Sequence, residues 1–430
     1  MRVFICIALA TVVVNTAQAQ LRLPVAPLPA LPLQKLTQTV GQTGADSLEQ
    51  LSDVRRLLNA SLIRANPRSI AADPHGNPIV RGELLAYSPS TGAVEAAQAR
   101  GFTIAREQAN STLDIHLVVL QTPAALNIVK ALRQLRKADP AGTYDFNHIY
   151  TGVGVVSAGV SSDAPSPQSA ATGRSYHPLP RVGLIDSGVD SAHPVFSDAL
   201  IHSWGCGDRV LPSAHGTAVA SLLVGQSTRF HGVLDKAELY AADVYCNAPT
   251  GGAVDALAAA FAWLAEQRVA VINVSLVGPD NAALGQIVRA LTSRGYLLVA
   301  AVGNDGPAAP PLYPASYPHV VGVTAVDAHR RVLIEAARGN QVMFAARGAD
   351  MSAADIGGKY SAIRGTSFAA PIVAALLARS VTAPDLSSSN AAIEALAQSA
   401  IDLGPKGRDL TYGFGLVGAD YGTDLGQPGR

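Results

Sequence analysis

The sequence predicts an α/β protein, a mostly parallel sheet covered on both faces by helices, preceded by a small α+β module. Three observations carry this. From Arg181 onward, short apolar runs of strand length alternate with helical patterns, as in a parallel sheet packed between helices. Over residues 79–150 the order is β-α-β-β-α-β, the ferredoxin-like split arrangement. Between them, residues 151–180 are dominated by Ser, Ala, Gly and Pro (VSSDAPSPQSAATGRS), an exposed linker and a domain boundary.

Each element follows from the chain in order. Residues 1–19 read as a signal peptide: Arg2 is the charged start, Val3 to Val14 the apolar run, and Ala17-Gln18-Ala19 the cleavage signal, with a cut before Gln20. About a dozen apolar residues are too few to span a bilayer, and no later stretch reaches that length with membrane-like flanks. The expected product is a soluble, exported chain without a membrane anchor, secreted or periplasmic. Residues 20–46 form a Pro-rich spacer (LRLPVAPLPALPLQ). Residues 47–78 are a helical segment in which Leu48, Leu51, Val54, Leu57, Leu58 and Leu62 share a face until Pro67 to Pro78 breaks it.

In the 79–150 module, strands are expected at Ile79–Tyr87, Phe102–Glu107, Leu113–Gln121 and Tyr144–Tyr150, with helices at Ser90–Arg100 and Pro123–Lys137. The α/β region spans 181–422, followed by a tail, 423–430. Its strands are Val182–Asp186, Leu239–Val244, Val269–Ser275, Leu297–Val302 and Val320–Val326. Its helices are Ala214–Val224, Ala253–Gln267 and Asn281–Ser293, with Ile372–Ala378 as a further buried helical run after a Gly-rich, polar loop at Ile356–Arg364.

The 48% hydrophobic content of the 430 residues supports a large core in two or three domains. Zero formal net charge, with only 15% charged residues, gives no footprint for nucleic acid or an acidic polymer. Loss of the signal peptide removes Cys6 and leaves Cys206 and Cys246. In an oxidising compartment these two are expected to pair, closing a loop of about forty residues. Free thiols are the alternative, as is a zinc site with His202 and His215, for which no metal-type spacing is present.

Four segments carry polar residues where apolar packing is the default: Asp186 in DSGVD, His215 in HGTAVAS, Asn304 in AVGNDG and Ser367 in GTSFAAP. Each alone has an ordinary alternative, as a turn residue or a helix cap. Together they supply a serine acyl-transfer site. A serine hydroxyl needs an imidazole to take its proton, the imidazole needs a carboxylate to fix its tautomer, and the tetrahedral intermediate needs donors for its oxyanion. The assignment is then Ser367 as nucleophile, His215 as base, Asp186 as orienting acid, and the Asn304 amide with the Ser367 N–H as oxyanion donors. Asp186 and Asn304 sit at strand ends, where sites form in parallel sheets.

The order Asp…His…Ser differs from the α/β-hydrolase and chymotrypsin orders. With these flanks, it resembles the subtilisin-like serine peptidases over about residues 181–420. The resemblance implies that family's three-layer fold and peptide-bond hydrolysis, with protein or peptide substrates and no cofactor. Many relatives bind calcium, but no Asp/Asn-rich calcium loop stands out here, and no metal ligand is assigned. It further implies that Ser275, Leu276, Val277 and Gly278, in NVSLVG, bind substrate backbone and line the specificity pocket, and that Tyr412-Gly413-Phe414-Gly415 is the closing turn. Apolar or aromatic residues are expected before the scissile bond. His193, before a proline, is the rival base. Two departures are Ala346-Arg347-Gly348, where the family has Ala-Pro-Gly, and a short edge segment, Cys246 to Gly252.

By the same resemblance, residues 79–150 look like the family's propeptide, which assists folding and blocks the cleft, with cleavage expected after Tyr150. A permanent accessory domain is the alternative there, and the helix at 47–65 is extra and unassigned. Two other functions share these residues: a catalytically silent binding protein, and an esterase or peptide ligase on the same triad.

Overall fold

The computed structural model describes residues 46–152, 154–157, 179–228 and 230–421. The chain divides into two units, Met1–Thr43 and Gly44–Arg430. The first lies outside the described residues, and with it the predicted signal peptide and nearly all of the spacer. Most of the linker and the 423–430 tail also lie outside them.

The N-terminal part opens on α1 (Asp46–Ala65) and β1 (Ile70–Ala72), then runs β2 (Pro78–Tyr87), α2 (Thr91–Ala99), β3 (Thr103–Asn110), β4 (Ile115–Gln121), α3 (Ile128–Ala138) and β5 (Thr143–His148). The split order expected from the sequence is present. β4 lies between β3 and β2, and β5 pairs with the other edge of β2, all antiparallel. The second helix starts later than Pro123 because Asn127 caps it, its side chain accepting from Val129 and Lys130 N–H. β1 falls in the stretch that the prolines were expected to keep irregular.

Strand β4 shows why this module does not stand alone. Val118 and Leu120 face its own helices with Leu132 and Leu135. Leu117 and Val119, on the opposite pleat, join the core that contains Phe261, Leu264 and Ile287 of the following region. A half-buried antiparallel sheet has one face left to cover, and the α/β region covers it.

After β6 (Thr151–Gly152) and β7 (Val155–Val156), the α/β region comprises β8 (Arg181–Asp186), β9 (Leu200–Trp204), α4 (Ala214–Val224), β10 (Glu238–Asp243), α5 (Val254–Glu266), β11 (Val271–Val274), β12 (Leu276–Val277) and α6 (Ala282–Thr292). There follow β13 (Leu297–Ala301), β14 (Val321–Val326), β15 (Val342–Arg347), β16 (Met351–Asp355), β17 (Lys359–Arg364), α7 (Thr366–Ala378) and α8 (Leu386–Ser399). Seven strands form a parallel sheet in the order β15-β14-β13-β11-β8-β10-β9. Residues of α4 and α7 pack into one apolar cluster and those of α5 and α6 into another, so the architecture has three layers as expected.

Three departures concern strands. The edge strand β9 and the strand β15 were not read from the sequence. The loop expected at Ile356–Arg364 is instead the turn and second arm of the β16–β17 hairpin, with Gly357 and Gly358 at positive φ in the turn. Its arm KYSAIR is short and partly polar, so no periodicity announced it.

Candidate active site

Strand β8 ends on Asp186, and the chain order of the sheet reverses around it: β10 lies on one side and β11 on the other. That reversal opens a crevice beyond the carboxyl ends of the strands. Asp186 is buried; its Oδ1 accepts from the Ser187 N–H (2.6 Å) and hydroxyl (2.9 Å) and lies 2.9 Å from His215 Nδ1. His215 stands in the first turn of α4, whose cap position, Ser213, makes no side-chain bond.

Ser367 stands in the first turn of α7. The cap is Gly365, at φ 136°, so the serine hydroxyl is not the cap that its position allowed. Its Oγ donates instead to Ser275 O at 3.2 Å. The neighbouring Phe368 ring lies 5.4 Å, centroid to centroid, from the His215 imidazole. Asn304 follows β13, and its Oδ1 accepts the Thr366 N–H at 3.1 Å. That bond fixes the orientation of the amide and leaves its NH2 group as the donor for another acceptor. The four sequence-predicted chemical residues thus come from four different elements and meet at one end of the sheet.

His193 is excluded as the base. It is buried, its Nδ1 accepts from Val195 N–H at 3.1 Å, and its Nε2 lies 2.9 Å from Lys359 O. Both ring nitrogens are engaged in holding the β17 end in place.

The cleft is occupied by the chain itself. Thr151 and Gly152 pair antiparallel with Val277 and Leu276, two of the residues expected to bind substrate backbone. Gly278 meets the ring of Tyr150, which a methyl group there would approach to 2.7 Å. Tyr150 is fully buried; its N–H donates to Gly252 O (2.8 Å), its carbonyl accepts from Tyr245 Oη (3.1 Å), and its own hydroxyl donates to Pro279 O (2.5 Å). Burial pushes the phenols of Tyr150 and Tyr245 well above their ordinary range, with the Asp186 charge adding to the shift at Tyr245.

A methyl at Gly152 would lie 3.7 Å from the His215 ring, and one at Gly154 would strike Phe368 at 2.7 Å. Val155 and Val156 then pair with Arg364 and Ile363. The edge contributed by Tyr245 and Gly252 and the β17 edge were the parts that sequence reasoning left open. The Gly251-Gly252 pair, with Gly252 at φ 77°, was the available signal.

Cys206 and Cys246 are joined, as the export argument expected, with an S–S distance of 2.08 Å. The bridge ties the end of β9 to the loop that leads to Gly252. Asp243, between them, is raised by burial, against N–H bonds from Cys246 and Tyr245 that lower it. Among the described residues, two groups have the geometry to hold a cation. In one, Cys206 and Cys246 spend their sulfurs on each other. In the other, Asp327, His329 and Asp350, the Asp327 carboxylate already accepts from Arg331 and from the His329 and Arg331 N–H groups.

Comparison with known proteins gives the family. The model of the subtilase family matches residues 180–415. The chain belongs to the subtilase family, whose members are serine endopeptidases. It is 34% identical over 249 residues to subtilisin BL of Lederbergia lenta, covering 56% of this chain and 90% of that protein. It is 30% identical over 246 residues to the minor extracellular protease Epr of Bacillus subtilis, covering 55% of this chain but only 37% of Epr. In fold it is similar to fervidolysin from Fervidobacterium pennivorans, with a TM-score of 0.63 at 19% identity, over 80% of this chain and 60% of that one. Among the described residues, no helix is long and apolar enough to cross a membrane.

Proposed function

We propose that this subtilase is an exported endopeptidase, made as a precursor that cuts itself, and that it hydrolyses peptide bonds through an acyl-enzyme on Ser367. The Asp186 carboxylate keeps the His215 proton on Nδ1, so Nε2 is the basic nitrogen. His215 takes the Ser367 proton as Oγ attacks the carbonyl, then returns it to the leaving amine. Water attacks the acyl-enzyme by the same route in reverse. The Asn304 NH2 and the Ser367 N–H, at the positive end of α7, receive the oxyanion.

The observation that carries this reading is the course of residues 150–156 through the cleft. Thr151 and Gly152 pair with β12 and Val155 and Val156 with β17, and the chain passes His215 at Gly152 and the start of α7 at Gly154, as a peptide substrate would. It also bears on where the chain is cut. Tyr150 sits in its own pocket short of His215, which supports a cut at one of the two bonds flanking residue 153, itself outside the described residues, over the bond after Tyr150. The seat of Tyr150 supports a preference for a large aromatic residue there in external substrates.

The 79–150 module then acts as a propeptide, and α1 gains a place in it. Arg55 of α1 pairs with Asp305, next to Asn304, and its Nη1 lies 3.5 Å from Thr151 Oγ1, over the segment in the cleft.

The test is to incubate the purified full chain and its Ser367→Ala form and map new termini by mass spectrometry. Self-cleavage in the first alone, giving a new N-terminus at residue 153 or 154, is the expected result. A permanent accessory domain would leave the chain intact while casein is hydrolysed. Labelling by a fluorophosphonate that persists in Ser367→Ala would remove the serine from the mechanism. Asn304→Ala should lower the rate about 10²–10³-fold, a magnitude known from subtilisin itself. Hydrolysis of short acyl esters without casein would favour the esterase or ligase.

A further inference from the structure

Helix α7 has a proline inside it, Pro371, buried four residues after Ser367. Proline has no N–H, so the Ser367 carbonyl is denied the intrahelical bond that its position calls for. Ser367 is fully buried, where an unmet carbonyl is costly. The missing donor comes from another element: Ser275 Oγ donates to Ser367 O at 2.9 Å. In return, the Ser275 carbonyl accepts the Ser367 hydroxyl at 3.2 Å. Asn273 Nδ2 donates to Ser275 Oγ at 2.9 Å and so aims that hydroxyl's proton at Ser367. Asn273 and Ser275 are also fully buried.

These bonds join two things that the reaction must hold together. Ser275 directly precedes Leu276 and Val277, the pair that binds the segment in the cleft. Ser367 is the proposed nucleophile. We propose that Ser275 is a positioning residue, and that the gap Pro371 leaves in α7 exists to receive it. The reciprocal pair sets the depth of Ser367 relative to the strand that presents the substrate. With an ordinary residue at 371, the helix would bond Ser367 O itself, and the Ser275 hydroxyl would be left buried without that acceptor. Each of the two residues makes the other necessary. This rests on Ser367 being the nucleophile, but the hydrogen-bond exchange between residues 275 and 371 does not.

The experiment is a double-mutant cycle on the full chain: wild type, Ser275→Ala, Pro371→Ala and the double variant. The rate of self-cleavage is one readout, because the substrate is already bound and the rate reports the chemical step. For matured enzyme, kcat and KM on a peptide are measured separately. Ser275→Ala should lower kcat and self-cleavage about 10- to 100-fold with KM within about 2-fold, since a misplaced nucleophile loses rate more than binding. In the double variant the substituted position 371 regains a backbone N–H for Ser367 O, and the rate should return to within about 3-fold of Pro371→Ala alone. Ser275→Cys, which keeps a weak donor, should fall between wild type and Ser275→Ala.

The proposal is overturned if the two losses simply multiply, or if Ser275→Ala raises KM and leaves kcat unchanged. If the wild type neither cuts itself nor labels with a fluorophosphonate, the peptidase reading fails. The exchange is then read from urea midpoints of the same four proteins. Recovery in the double variant of the midpoint lost in Ser275→Ala supports the exchange, and equal additive losses reject it.

Discussion

The N-terminal part meets the α/β region at two seams built on different physics. In the cleft, residues 149–152 and 155–156 are held by backbone pairing and by one buried aromatic ring, that of Tyr150. Where the module's sheet docks on α5 and α6, side-chain charges and amides accompany the apolar contact. Arg106 reaches both Asp255 (Nε to Oδ2, 2.7 Å) and Glu83. Asn147 donates to Asp255 Oδ1 at 2.9 Å and accepts from the Asp255 N–H at 3.4 Å. Asp145 accepts from Ala282 N–H at 2.7 Å.

That second seam supplies helix ends with what their own sequence lacks. α5 starts after Ala253, which has no capping side chain, and Asn147 of the module fills that role. α6 has its own cap, Asn281, and Asp145 adds a carboxylate at its positive end. The cleft seam therefore rests mostly on backbone groups that any extended peptide carries, whereas the docking seam rests on particular side chains of this module. A single cut at residue 153 would turn the first into a product complex and leave the second intact.

The comparison is broken most severely at Gly278. A methyl there would meet the Tyr150 ring at 2.7–2.8 Å, with that ring enclosed on all sides. Gly278→Ala should slow self-cleavage about 100-fold or more while the module stays docked, followed by electrophoresis of the full chain. Rapid cleavage in that variant would mean that the docking seam alone presents the bond.

A smaller effect is expected from Asp255→Ala, which takes a partner from both Arg106 and Asn147. With Arg106 partly exposed, the loss should be about 1–2 kcal/mol, read from the urea midpoint of the full chain carrying Ser367→Ala. No change would assign the docking energy to the apolar contacts of β4. Arg55→Ala should have a lesser effect still, shortening severalfold the lag between cleavage and the appearance of activity, as added salt should in the wild type.

The last expected effect, confined to acid, is a dependence on pH. Burial alone would raise Asp73, but hydrogen bonds from His148 and Asn77 outweigh it and hold the carboxyl at about 2. A depressed folded value contributes stability above the unfolded value and loses it as pH falls through the folded one. The module should therefore weaken between about pH 4 and pH 2, and Asp73→Asn should flatten that part of a stability–pH profile. His148 also lies 2.9 Å from Asn281 Nδ2, so this loss belongs to the docking seam and should spare the cleft pairing.

Much of this was legible in the chain because it depends on local physics. Asp186, His215, Asn304 and Ser367 stand out as polar residues at apolar strand ends and helix starts, each within a few residues of its context. The alternation from Arg181 onward announced the layers, and the β-α-β-β-α-β rhythm announced the module. The expected loss of the signal peptide reduced the cysteines to one pair.

What stayed hidden depends on partners far apart in the chain. The KYSAIR arm lies as a strand between Met351–Asp355 and Val155–Val156, and pairs with both. His193 lost its claim as a base through Lys359 O, and Arg55 found its place 250 residues away, at Asp305. Pro371 is in sequence only the last residue of GTSFAAP; in the fold the hydroxyl of Ser275 sits on the carbonyl that it frees. Which groups are candidates for the chemistry could be read from the chain, because reactivity belongs to residue types and their immediate backbone. Which stretch of chain lies beside them, and which groups hold Ser367 in place, came only with the folded arrangement, because strands and helices distant in sequence decide both by exchanging hydrogen bonds.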